Sequence, residues 1–76
     1  RRMDQLMEIL EEVCPHIDFQ EEKELVDGSV LTSFDIISII SSMNDTFGIT
    51  VTPAEIIPEN FNSAEAMLAM VNRLKG

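Results

Sequence analysis

Ser33, the pair Cys14 and His16, and a large excess of carboxylates are the chemically suggestive features of this sequence. A cysteine two positions from a histidine offers a thiol and a base, but no third group is placed by the sequence to orient them as a nucleophile pair. As metal ligands they supply two of the usual four. Packing for Cys14 and solvation for His16 are the readings that remain. The acids do not alternate with a glycine in a twelve-residue calcium loop, and neither a glycine-rich phosphate cradle nor G-x-S-x-G is present. Ser33 differs from these in its position. It follows a long loop and opens a helical segment, where the positive end of the helix dipole suits a phosphodiester on its oxygen. The residues alone leave two readings open, a modified serine or an ordinary helix-start serine.

Three amphipathic segments and a short one must position these groups. Met3, Leu6, Met7, Leu10 and Val13 recur at helical spacing, and Pro15 closes that helix. Residues 15–32 form a long loop with an Asp27-Gly28 turn, and Ile17, Phe19, Leu25, Val26 and Leu31 are available to pack it. Thr32 caps the next helix, with Asp35 three residues on in a capping-box arrangement. Ile36, Ile40, Met43 and Phe47 give its apolar stripe, widened by Ile37 and Ile39, and Gly48 is its left-handed stop. Thr52-Pro53-Ala54-Glu55 starts a short helix that Pro58 ends. Asn62 or Ser63 caps the last helix, which buries Ala64, Met67, Leu68, Val71 and Leu74. With no convincing strand, the expectation is an all-α four-helix bundle, a single domain over 1–76.

Composition narrows the function. Seventy-six residues with 45% hydrophobic content support one small folded domain, of about 3–5 kcal/mol stability and with little volume for a deep cleft. Fourteen acids against five bases give a net charge of −9, and Lys23 is the sole base between Met3 and Asn72. Such a surface repels nucleic acid and anionic membranes and attracts basic protein patches. A lone cysteine excludes an internal disulfide. No apolar run approaches the roughly 20 residues of a membrane span, and no basic-then-apolar leader opens the sequence, so a soluble, cytoplasmic protein is expected. Opening on Arg1 rather than Met, the chain reads as trimmed, tagged or cut from something longer.

The stretch Val30-Leu31-Thr32-Ser33-Phe34-Asp35-Ile36-Ile37-Ser38-Ile39-Ile40, closing in Phe47-Gly48-Ile49-Thr50-Val51, resembles the acyl carrier protein family of phosphopantetheine-binding domains. In that family a modified serine opens the second helix, often as Asp-Ser-Leu, and a Phe-Gly-Ile segment closes it. Pro58-Glu59-Asn60-Phe61-Asn62-Ser63 is similar to the corresponding region of aminoacyl-type carriers such as D-alanyl carrier proteins. The resemblance implies a monomeric, non-catalytic carrier of the acyl-carrier-protein bundle type. Ser33 would receive 4′-phosphopantetheine from coenzyme A and hold acyl or aminoacyl cargo as a thioester. Phe34, Asp35 and Asp45 would belong to the surface read by partners. Those implied are a phosphopantetheinyl transferase, an acyl- or aminoacyl-activating ligase, and a downstream transferase or synthase.

Two departures qualify what is implied. Thr32 stands where the family most often has Asp, which supports the alternative of an unmodified, carrier-like acidic module that binds a basic protein. Ser38, Ser41 and Ser42 replace the glutamates common in fatty-acid-synthesis carriers, which points to a specialised pathway with an amino acid such as D-alanine favoured as cargo.

Overall fold

The computed structural model describes residues 1–76, and its regular structure is all helical, with α1 (Arg2–Val13), α2 (Ser33–Phe47), α3 (Pro58–Phe61) and α4 (Ala64–Lys75). A 3₁₀ turn spans Pro53–Glu55 between α2 and α3. The bundle is the all-α architecture expected from the periodicity. The interior is entirely apolar, and no buried polar or charged residue interrupts it. Leu6, Ile9 and Leu10 face inward from α1, Ile39, Met43 and Phe47 from α2, and Ala64, Met67, Met70 and Val71 from α4.

Several expectations change in detail. Ile9 of α1 and Met70 of α4 are buried although the expected faces did not include them, and Leu68 and Leu74 are only partly buried. Ile37 does not widen the buried stripe of α2; it is 64% exposed. Isoleucines at 36, 37, 39 and 40 fan across an arc of about 160° at 3.6 residues per turn, wider than the seam the neighbours cover, so periodicity alone cannot choose which edge faces out. Packing against α1 and α4 does, leaving Ile36 and Ile40 half-buried at the flanks of the Ile39–Met43–Phe47 seam. Pro58 ends the 3₁₀ region but also occupies the first position of α3, where its missing N–H costs nothing. Ser63, rather than Asn62, caps α4 by accepting the Ala66 N–H at 3.0 Å.

The long loop is ordered by its own apolar residues and by Asn62. Phe19, Leu25 and Leu31 are buried in the core. Asn62 Oδ1 accepts the Val26 and Asp27 N–H groups, each at 3.0 Å, and its Nδ2 donates to Asp27 Oδ2 at 2.9 Å. The Asn62 carbonyl accepts the Leu25 N–H at 2.9 Å. At the turn, a Cβ on Gly28 would lie 2.7 Å from the Glu24 carbonyl oxygen, closer than real side chains come. The loop therefore arrives at Thr32 with a fixed path, and Ser33 inherits that fixity.

Candidate functional site

Ser33 is exposed at the first position of α2. The helix starts there because Thr32 is extended (φ −88°, ψ 167°) and closes a full capping box. Thr32 Oγ1 accepts the Asp35 N–H at 3.1 Å, and Asp35 Oδ2 accepts the Thr32 N–H at 3.0 Å. The Ser33 and Phe34 N–H groups precede the first intrahelical bond and have no acceptor within the helix. An exposed hydroxyl beside two free donors at a positive helix end fits a phosphodiester.

Beneath this start sits Cys14, fully buried, with its thiol pKa pushed up by burial first and by the nearby Asp35 carboxylate second. Asp35 is held below the usual carboxylate range, chiefly by the Thr32 backbone N–H, then by the Thr32 hydroxyl, Cys14 and the charge of His16. Its carboxylate is thus engaged in shaping the helix start, while Asp45 is exposed near the other end of α2. Phe34, 76% exposed, lies beside Ser33 with Ile37 one turn on. The exposure of Ile37 near Ser33 is what the sequence did not reveal, because an isoleucine-rich helix reads as core.

Nothing in this region assembles a catalytic set. His16 is exposed and Cys14 is enclosed. No three His, Cys, Asp or Glu side chains converge where a metal could sit. Two surface hollows of about 240 and 290 Å³ lie away from Ser33, the first against Glu8, Glu12 and Thr46, the second against Met3, Met7 and Phe19. Four of the bases are tied within the fold. Arg2 donates to Asn72, Lys23 to Glu65, Arg73 to Glu55, and Lys75 to the Phe47 carbonyl at the end of α2. What the surface offers a partner is therefore acid, hydroxyl and exposed apolar side chains, Phe34 and Ile37 beside Ser33 and Ile56 and Ile57 just before α3.

No protein-family model matches the chain. A curated protein from Bradyrhizobium diazoefficiens, Aminoacyl carrier protein 1, is 36% identical over 63 residues, covering 83% of this chain and 69% of the relative. The chain belongs to the acyl/aminoacyl carrier protein family. Its helical order agrees with the four-helix architecture expected of such a carrier. No helix of this carrier is long and apolar enough to cross a membrane.

Proposed function

We propose that this protein holds an amino acid, or another small acyl group, as a thioester on a 4′-phosphopantetheine arm attached to Ser33. The observation that carries the reading is the exposed Ser33 hydroxyl at the first position of a capped helix, in a chain of the carrier family. In the attachment step, Ser33 Oγ forms a bond to the phosphorus of coenzyme A that bears pantetheine. The phosphoanhydride bond breaks, adenosine 3′,5′-bisphosphate leaves, and the hydroxyl proton passes to a base of the phosphopantetheinyl transferase. The arm supplies a terminal thiol, which holds the cargo.

Ser33 then bears the phosphodiester, and the free N–H groups at the start of α2 favour its negative charge. The capping box fixes where the arm leaves the surface. The bundle contributes no catalytic group; tethering instead raises the concentration of the cargo near each enzyme that acts on it. An amino-acid-activating ligase loads the arm, and a transferase or synthase unloads it. The relative's name supports an amino acid over a fatty chain. Modification from coenzyme A supports a cytoplasmic location for the carrier.

Full burial of Cys14 gives a direct test. After incubation with coenzyme A, magnesium and a broad-specificity phosphopantetheinyl transferase, the native protein gains one fast-reacting thiol toward an aromatic disulfide reagent. Cys14 reacts only on unfolding, and Ser33→Ala gains nothing. A folded parent protein that gains no accessible thiol with several transferases contradicts the carrier reading and leaves an unmodified acidic binding module.

A further inference from the structure

The segment that delivers the chain to Ser33 is hydrogen-bonded to the rest of the fold through one residue. Residues 24–31 otherwise close on themselves. The Leu25 carbonyl accepts the Val30 and Leu31 N–H groups at 3.0 and 2.9 Å, and the Glu24 and Val26 carbonyls accept those of Gly28 and Ser29. Every hydrogen bond that leaves this segment ends on Asn62. Asn62 is itself anchored: its N–H donates to the Pro58 carbonyl of α3 at 2.9 Å, and its neighbour Ser63 caps α4. Leu25 links the two ends. Its N–H meets the Asn62 carbonyl, its own carbonyl ties down Leu31, and Leu31 leads through Thr32 into Ser33. The capping box joins Thr32 to Asp35 within the start of α2, so it does not hold the incoming loop to α3 and α4.

We propose that Asn62 is a positioning residue for the modification of Ser33. It holds the incoming loop so that the serine oxygen is aligned for attack; without it the transferase binds the carrier as before but reacts more slowly. The proposal rests on Ser33 being the attachment point. Attack requires the Ser33 oxygen within about 3–3.5 Å of the phosphorus and in line with the bond that breaks. As the first residue of α2, Ser33 has no intrahelical bond on its own N–H to resist a change in the loop's path. With Asn62 removed, residues 24–31 lose every polar tie to α3 and α4 except the Asn62 backbone carbonyl. Leu25 and Leu31 remain in the core, so the loop stays docked and the loss is one of alignment. The reactive placement of Ser33 is then populated for a smaller fraction of the time, and the rate of the chemical step falls by that fraction. The exposed side chains of α2 are untouched by the change.

The test is single-turnover modification with a broad-specificity transferase and coenzyme A in excess, followed by intact mass. It separates the maximal rate from the transferase concentration that gives half of it. Asn62→Ala is expected to lower the maximal rate about fivefold or more and to leave the half-rate concentration within about twofold. Asn62→Asp sets a carboxylate where the donor to Asp27 stood and is expected to lose as much. Adding Asp27→Asn to Asn62→Asp restores the pair with donor and acceptor exchanged, and most of the rate returns. Ser63→Ala uncaps α4 one residue away without touching the loop; it melts earlier than the parent but keeps the parental rate. Rates are compared at a temperature where circular dichroism shows each variant folded. Should Asn62→Ala not fold, Asp27→Ala, at an exposed site, removes one of the bonds and is expected to slow the same step. A parental maximal rate in the folded variants, a raised half-rate concentration in its place, an equal loss in Ser63→Ala, or no recovery in the exchanged pair overturns the role of Asn62 alone. A parent that no transferase modifies overturns both this role and the carrier reading.

Discussion

Replacing Thr32 with alanine cuts one half of the capping box and spares the other. The Asp35 N–H loses its acceptor at 3.1 Å, while the Thr32 backbone N–H can still donate to Asp35 Oδ2. Loss of a threonine N-cap costs about 1 kcal/mol, within a range of roughly 0.5–2. Against a total of about 3–5 kcal/mol for a domain of this size, that is a substantial fraction. It corresponds to a fall in melting temperature of about 4–8 °C. Thermal and urea unfolding followed by far-UV circular dichroism measure it, and amide exchange at Asp35 localises it. Thr32→Ser keeps the oxygen and should stay within a few tenths of a kcal/mol of the parent. If Thr32→Ala unfolds at the parental temperature, the cap does not set the helix start. If Thr32→Ser falls as far as Thr32→Ala, the methyl group rather than the oxygen matters, and the reasoning fails.

Asp35 gives a prediction with a definite sign. Its folded pKa is lowered, first by the Thr32 N–H, so its contribution is present above its unfolded pKa of about 3.9 and lost as pH falls through the lower folded value. Asp35→Asn should therefore be less stable than the parent near neutrality, and the gap should close under acid in urea titrations below about pH 4; a pH-independent gap would contradict this. Asn62→Ala removes the shared acceptor of two loop amides and is expected to cost about 1–3 kcal/mol. Amide exchange at Val26 and Asp27 should quicken with it, and unchanged exchange there would show that Asn62 does not pin the loop.

Local signals in the sequence identified what local physics determines. The capping pair Thr32 and Asp35, the stop at Gly48 (φ 66°), and part of the buried faces, such as Leu6 and Leu10 of α1, Met43 and Phe47 of α2 and Met67 and Val71 of α4, follow from spacing and residue type. Where the answer depended on distant contacts, the sequence was silent. The fate of Ile37 depends on which sides of α2 its neighbours cover, and an isoleucine-rich helix has no polar mark to show it. Asn62 reads as a helix cap beside Ser63, but its partners, Val26 and Asp27, lie far back in the chain. Pro58 is equally suited to ending one element and beginning the next. At the proposed site, Ser33 was singled out through its resemblance to a family motif, and the structure shows how that serine is presented: an extended cap, a fixed loop and an exposed first turn.

The most direct test is the intact mass of the protein after incubation with coenzyme A, magnesium and a broad-specificity phosphopantetheinyl transferase, with Ser33→Ala treated in parallel. A gain of one phosphopantetheine in the parent and none in the variant is the predicted result. An unchanged mass in a folded parent with more than one transferase, or an equal gain in Ser33→Ala, would contradict the assignment of Ser33 as the attachment site.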